Sequence, residues 1–158
     1  GADKIAINTE AIKNPEFINE AVSVYGSQSV AISIQTKKIR EEWYCFTNCG
    51  RDNSGILLIN WIKEVECRGA GELIITSVSK EGMMKGIDLE VIKLVNNQTK
   101  LPITYSGGFG SLQDLEFLKT NNCFLSGLAI SGALHYEKIS IRQIRNYLKE
   151  NGIYIRKL

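Results

Sequence analysis

The chain has 158 residues, about the length of one domain, of which 44% are hydrophobic and 23% are charged. Nineteen Lys and Arg against 17 Asp and Glu leave a net charge of +2, which argues against a nucleic-acid binder driven by a basic surface. No apolar stretch reaches the roughly 18 residues that a membrane span needs. We therefore expect a single cytoplasmic domain over residues 1–158, with no nucleic-acid or membrane partner.

The four cysteines, at positions 45, 49, 67 and 123, form no Cys-x-x-Cys pair, and His135 is the only histidine. A structural zinc site needs four ligands at matching spacing. The cysteines are therefore interpreted as free thiols in a reducing compartment, and neither a metal nor a cofactor is expected.

Short apolar strands alternate with amphipathic helices along the chain. The first half contains a predicted strand at 4–8, a helix opened by Asn14-Pro15 and ended by Gly26, a strand at 29–35, a charged turn at 37–42, an aromatic hairpin strand at 43–47 and a helix at 54–67. The second half contains a strand at 72–78, a glycine-bearing loop at 79–86, a helix from Asp88, a strand at 101–105, a helix from Ser111, a strand at 127–130 and a helix from Ser140.

This alternation predicts an α/β fold with five parallel main strands, helices between them and a short hairpin excursion. The strands are apolar on both faces, as a parallel sheet covered by helices requires. A closed (β/α)8 barrel needs eight strands in roughly 250 residues. The pattern therefore fits either a partial barrel that lacks about three βα units or a smaller open α/β fold.

Two of the predicted loops have the composition of phosphate-binding loops. Ser106-Gly107-Gly108 follows one strand directly, and Ile130-Ser131-Gly132 follows the next. Glycines let backbone N–H groups approach an anion, and phosphate sites in barrels recur after the last two strands. Either segment alone could be only a tight strand-to-helix turn. The pair on adjacent strands favours a phosphate site.

Candidates for proton transfer are few at the carboxyl ends of the strands, where chemistry is expected in such folds. The loop from Gly82 to Gly86 could close over a ligand or could be only a long loop with glycine hinges. Glu81 is the only carboxylate in the whole loop at 79–86, and the amide of Gln35 cannot transfer a proton in the usual way.

Other ionisable side chains have simpler interpretations. Lys4 and Glu72 lie at the amino-terminal ends of their strands, where an ion pair that stabilises the fold is expected. His135 follows the last strand and is interpreted as a loop or packing residue, since no nucleophile lies beside it in the sequence.

The chain resembles the carboxyl-terminal part of the cyclase subunit of imidazole glycerol phosphate synthase, its fourth to eighth βα units, possibly as a divergent paralogue. The resemblance extends over nearly all 158 residues. The segments that carry it are GADKIAINT (1–9), GSQ (26–28), SGILLINWIKEVECRGAGELIITS (54–77), GMMKGID (82–88), PITYSGGFGS (102–111) and LAISGALH (128–135).

This resemblance implies a (β/α)8 barrel, of which the present chain would be a fragment. It also implies a subunit of a glutamine amidotransferase complex. A glutaminase partner supplies ammonia, and the cyclase converts a bisphosphorylated aminoimidazole carboxamide ribonucleotide into imidazole glycerol phosphate, a step of histidine biosynthesis. No cofactor takes part.

The site residues implied by the resemblance fall into three groups. The phosphate-binding positions are Asn8, Thr9, Gly82, Gly107, Gly108, Ile130 and Ser131. Those at the ammonia entry and the partner face are Asp3, Lys4 and Glu72, which gives the ion pair a second interpretation. The candidate catalytic positions are Gln35, Thr76, Ser77 and Glu81.

The chain departs from the family at the catalytic positions. The family has one catalytic aspartate at the end of its first strand, outside the present segment, and a second at the position of Gln35. Its sixth-strand loop has two aspartates and a threonine where this chain has Ser79, Glu81 and Met83. A carboxylate can accept or give a proton, whereas an amide only forms hydrogen bonds. We therefore expect the isolated chain to be inactive.

Three functions stay open on the sequence. The first is the synthase reaction itself. The second is a paralogue that uses ammonia to amidate another substrate, such as an activated sugar for a surface polysaccharide. The third is a non-catalytic phosphate-binding or partner-binding module. An incomplete barrel would also expose two sheet edges, so the isolated chain is expected to self-associate.

Overall fold

The computed structural model describes residues 1–155. The strands in this part are β1 (Ile5–Ile7), β2 (Val30–Ile39), β3 (Glu42–Thr47), β4 (Asp52–Leu57), β5 (Glu72–Ser77), β6 (Ile103–Ser106) and β7 (Gly127–Ala129). The helices are α1 (Thr9–Lys13), α2 (Glu16–Tyr25), α3 (Leu58–Cys67), α4 (Leu89–Gln98), α5 (Leu112–Thr120), α6 (Gly132–His135) and α7 (Ile141–Glu150).

All seven strands form one sheet in the order β4-β3-β2-β5-β6-β7, and β1 pairs with β2. The pairs of β1 with β2, β2 with β5, β5 with β6 and β6 with β7 are parallel, whereas β3 is antiparallel to both β2 and β4. The prediction of five parallel main strands and a hairpin excursion is thus confirmed. The mainly parallel α/β architecture is consistent with a barrel-like (β/α)8 fold.

The two faces of the sheet differ in burial. Side chains alternate between the faces along each strand, and registered partners on neighbouring strands point to the same side. On one face Ile32, Ile34, Leu73, Ile75 and Tyr105 are at most 1% exposed, because this face packs against the helices. The opposite face carries more polar residues, most of which are only partly buried, and it is here called the open face.

The hairpin is longer than the sequence predicts. Strand β2 continues to Ile39, so the predicted charged turn at 37–42 shrinks to Arg40 and Glu41. The predicted helix at 54–67 is wrong at its start, because residues 52–57 form β4 and α3 begins at Leu58. Residues 52–57 are extended because they pair with β3. The Ser54 hydroxyl supports this pairing by donating to the Cys45 carbonyl at 2.8 Å.

The predicted helix starts agree better with the structure. Ser111 and Ser140 are the N-caps of α5 and α7, and each belongs to a capping box. Asp88 is the residue before α4, as predicted, although its side chain does not cap that helix. Pro15, rather than Asn14, is the N-cap of α2.

Within residues 1–155, no helix is both long enough and apolar enough to cross a membrane.

Candidate functional site

A cleft of about 330 Å³ opens at the carboxyl ends of β5, β6 and β7. Its walls come from the loop after β5, the end of β6 with the loop after it, and the segment after β7. Ligand sites in α/β sheets lie at this edge, because the loops that follow parallel strands converge there. The residues that line the cleft are Glu81, Gly82, Met84, Ser106, Gly107, Gly108, Phe109, Ala129, Ile130, Ser131, Gly132, His135 and Tyr136.

Gly107 and Gly108 line this cleft, and a side chain at either position would collide with the backbone of the loop after β5 or with the end of that strand. Their φ angles are +113° and +83°, in the region that favours glycine. A Cβ at Gly107 would lie 2.8 Å from the Ser77 carbonyl oxygen, and a Cβ at Gly108 would lie 2.2 Å from that of Gly86. The bare backbone therefore lines the cleft, and successive N–H groups in such turns form anion-binding concavities.

The structure brings most of the predicted phosphate positions together. Gly82 comes from the loop after β5, the two glycines from the loop after β6, and Ile130 and Ser131 from the segment after β7. All of them line the cleft, together with the candidate catalytic residue Glu81. Three loops separated by more than 20 residues in sequence thus meet at one site.

Asn8 and Thr9, the other predicted phosphate positions, lie after β1 and do not line this cleft. The Asn8 side-chain amide donates to the Ser33 carbonyl at 2.8 Å and to the Phe46 carbonyl at 3.3 Å. The Thr9 hydroxyl donates to the Asn8 Oδ1 at 3.0 Å and accepts the Asn48 N–H at 3.1 Å. These bonds lie at the point along β2 where its pairing with β1 ends and its pairing with β3 begins.

Gln35, Thr76 and Ser106 form one row across the open face. Gln35 is the registered partner of Thr76, and Thr76 is the registered partner of Ser106, which lines the cleft. Neighbouring strands are about 4.8 Å apart, so Gln35 lies about 10 Å from Ser106. The row offers an amide and two hydroxyls that can donate and accept hydrogen bonds beside the cleft.

Ser77 is not brought together with Gln35 and Thr76, because the next residue of a strand points to the other face. It is fully buried, and its hydroxyl donates to the Asp88 Oδ2 at 3.0 Å. Its carbonyl accepts the N–H groups of Lys80 and Glu81, both at 3.0 Å. Ser77 therefore shapes the loop that carries Glu81.

Lys4, Glu72 and Thr104 form a polar cluster at the opposite edge of the sheet. Lys4 forms an ion pair with Glu72, and the Thr104 hydroxyl donates to the Glu72 Oε1 at 2.8 Å. Burial alone would raise the pKa of Glu72, but the hydrogen bonds from Lys4 and Thr104 outweigh it and lower that pKa below its ordinary value of 4.5. At about 3.3 Å per residue, Glu72 lies roughly 17 Å from the end of β5. Asp3 is exposed beside Lys4.

His135 and Tyr136 line the cleft, which the sequence analysis did not predict. His135 is exposed rather than packed inside, and both residues line the cleft. Their rings meet edge to face, with centroids 5.0 Å apart and an interplanar angle of 78°. Their position in the sequence could have indicated this, because both follow a glycine-bearing loop at the carboxyl end of a predicted strand, where ligand sites lie.

The described part of the chain, residues 1–155, contains no group of three His, Cys, Asp or Glu side chains that could hold a metal ion. All four cysteines are free thiols, and burial raises the pKa of Cys45 to about 12. The chemistry that the cleft itself offers is therefore that of backbone N–H groups, hydroxyls, one carboxylate and one imidazole.

Comparison with known proteins gives a consistent result. The profile of the histidine biosynthesis protein family matches residues 1–140. The chain is 42% identical over 161 residues to a curated protein of Natranaerobius thermophilus named imidazole glycerol phosphate synthase subunit HisF. Proteins of the same name from Thermotoga sp. and Sulfolobus acidocaldarius are 39% and 38% identical over 156 and 157 residues. These alignments cover 99% of this chain and 61–62% of each relative, so the chain spans less than two thirds of their length.

Proposed function

The chain belongs to the histidine biosynthesis protein family, and we propose that it supplies the phosphate-anchoring, carboxyl-terminal part of a synthase subunit of the cyclase type. In this proposal the substrate is a bisphosphorylated aminoimidazole carboxamide ribonucleotide, and the product is imidazole glycerol phosphate. The proposal rests on the family and on the printed names of the relatives, together with the site described above.

The observation that carries the proposal is the convergence of three loops on one cleft. A phosphate ester has a double negative charge and several acceptor oxygens. The backbone N–H groups at Gly107 and Gly108, the Ser131 hydroxyl and the main chain at Gly82 and Ile130 can surround such a group from three sides. In the same proposal Asn8 and Thr9 lie near the second phosphate of the substrate.

The residues of the open face have separate roles. Gln35 and Thr76 hydrogen-bond the part of the substrate between its two phosphates, and Ser77 holds the loop after β5 in place. Glu81 is the proton-transfer group, because it is the carboxylate that lines the cleft. Neither a metal ion nor a cofactor has a role in this proposal.

Ammonia reaches this site from a glutaminase partner. We place the partner on the amino-terminal edge of the sheet, where Asp3, Lys4 and Glu72 lie, and the open face connects that edge with the cleft. Ammonia released at this edge would have the open face as its path to the cleft.

One observation favours a second function on the same scaffold. Gln35 stands in the row beside the cleft, where the family has an acid–base aspartate, and an amide cannot replace that chemistry. A paralogue that amidates a different substrate, such as an activated sugar, would retain the phosphate cleft and change this row.

Equilibrium dialysis tests the proposal. The chain is expected to bind the bisphosphorylated ribonucleotide at least ten times more tightly than the dephosphorylated nucleoside, and to show no ammonia-dependent turnover alone. Equal binding of both compounds would contradict the phosphate site. Turnover by the 158-residue chain would contradict the expectation that the reaction needs the two aspartates of the family that this segment does not carry. Tighter binding of a nucleotide-activated sugar than of the ribonucleotide would favour the second function.

A further inference from the structure

Asp114, on the first turn of α5, lies outside the cleft and is 3% exposed. Its carboxylate accepts three backbone hydrogen bonds. Oδ2 accepts the N–H groups of Gly110 at 2.8 Å and Ser111 at 3.1 Å, and Oδ1 accepts the N–H group of Ile87 at 3.1 Å. Gly110 and Ser111 belong to the loop after β6, whereas Ile87 ends the loop after β5.

We infer that Asp114 is a positioning residue of the phosphate cleft, because its buried carboxylate fastens two of the three cleft loops to each other. This inference rests on the proposed function, since it concerns the same cleft. A carboxylate suits this position because it has two acceptor oxygens and no donor, and the groups that face it are N–H donors.

The two loops meet backbone to backbone at the point that Asp114 holds. The Gly86 N–H donates to the Gly108 carbonyl at 2.9 Å, and a Cβ at Gly110 would lie 2.4 Å from the Met84 carbonyl oxygen. A small separation of the loops would therefore move Gly108, which lines the cleft, relative to Gly82. Anion binding by backbone N–H groups depends steeply on such distances.

A second capping box in the same chain shows what is unusual about Asp114. In α7 the Gln143 side chain occupies the corresponding third position of the helix, and within residues 1–155 its oxygen accepts from the Ser140 N–H and hydroxyl alone, at 2.8 and 2.9 Å. Gln143 thus serves its own helix, whereas Asp114 also reaches a residue 27 positions earlier in the chain. The bond to Ile87 goes beyond helix capping.

The test compares Asp114→Asn with Gln143→Ala in the 158-residue chain. Asparagine preserves the shape but replaces one acceptor oxygen with an NH2 group, so one set of N–H donors loses its acceptor. Calorimetric titration with inorganic phosphate should show about tenfold weaker binding for Asp114→Asn and unchanged binding for Gln143→Ala. Thermal unfolding should show a larger loss of stability for Asp114→Asn, which leaves buried N–H groups without an acceptor, than for Gln143→Ala, because the Gln143 side chain is exposed.

The outcomes separate this inference from the proposed function. Absence of phosphate binding by the unmodified chain would overturn the proposed function. Phosphate binding by the unmodified chain that stays the same in folded Asp114→Asn would overturn the role of Asp114 alone.

Hydrogen exchange on the unmodified chain keeps the inference testable if Asp114→Asn does not fold. Saturating phosphate should slow amide exchange at Ile87 and Gly110, because a ligand that bridges the cleft holds the same loops together. Unchanged exchange at these two amides, with phosphate bound, would overturn the inference.

Discussion

Gly108 is subject to two separate constraints, one on its conformation and one on its space. Its φ of +83° disfavours any L-residue with a Cβ, and the Gly86 carbonyl occupies the volume that a Cβ would need. Gly26 has nearly the same φ, +78°, but a Cβ there would meet nothing within 4 Å. The two positions therefore separate the cost of the backbone conformation from the cost of the close approach.

We expect Gly26→Ala to lower the free energy of unfolding by about 1–3 kcal/mol, because φ +78° with ψ +153° is a conformation that only glycine adopts readily. Gly108→Ala should lower it by more than about 3 kcal/mol, because the two loops must also separate. Urea unfolding measures both values, and phosphate binding should survive only in Gly26→Ala. Equal losses of stability would show that the loops can move apart at little cost.

Glu72 leads to a prediction about pH. Because its pKa is lowered in the folded state, its ion pair with Lys4 stabilises the protein above pH 4.5, and the contribution is lost as the pH falls through the lowered pKa. Glu72→Gln should therefore cost stability at pH 7, by less than about 1 kcal/mol since Lys4 is half exposed. Thermal unfolding of both proteins at a series of pH values from 7 to 2 checks this, and a difference that does not shrink as the pH falls below 4.5 would contradict it.

Individual residues were predictable where the local sequence decides their role. The two glycines of the loop after β6 could be interpreted from composition, because a strand that ends in Ser-Gly-Gly needs no distant partner to expose its backbone. The role of Asn8 could not be predicted from the local sequence, since its side chain donates hydrogen bonds to Ser33 and Phe46, which lie 25 and 38 positions away.

At the scale of elements, the five parallel strands and most helix starts followed from periodicity and capping residues. Strand β4 did not, because Asn53, Ser54 and Gly55 have low β-propensity and the apolar residues after them continue a helical pattern. Pairing with β3, itself paired with β2, overrides that local preference. Because β4 is stabilised by pairing with another strand, its own sequence does not indicate that it is a strand.

The cap of α7 gives a prediction at this scale. The Ser140 hydroxyl accepts the Gln143 N–H at 3.2 Å, so Ser140→Ala should lower the free energy of unfolding by about 1 kcal/mol. Phosphate affinity should not change, because the Ser140 side chain does not line the cleft. Urea unfolding and phosphate titration check the two parts, and weaker phosphate binding would indicate that α7 is coupled to the site.

At the scale of the whole molecule, the sheet is covered on one face and open on the other. Among the described residues, β7 pairs only with β6, and the open face carries Ile74 and the row from Gln35 to Ser106. Unpaired strand edges and uncovered apolar area favour association with another chain.

We therefore expect the 158-residue chain to be a dimer or a larger oligomer. Size-exclusion chromatography with light scattering at several concentrations measures this directly. A monomer at every concentration would contradict the expectation and would mean that exposure of the open face to water does not drive association.

The most direct test of the phosphate cleft is a titration of the ¹⁵N-labelled chain with inorganic phosphate, followed by two-dimensional NMR. The amide signals of Gly82, Gly107, Gly108 and Ser131 should shift together along one binding curve, while that of Gly26, which does not line the cleft, should stay in place. Shifts that are absent from these four amides, or that are scattered over surface lysines and arginines, would contradict the claim that the three loops form a phosphate site.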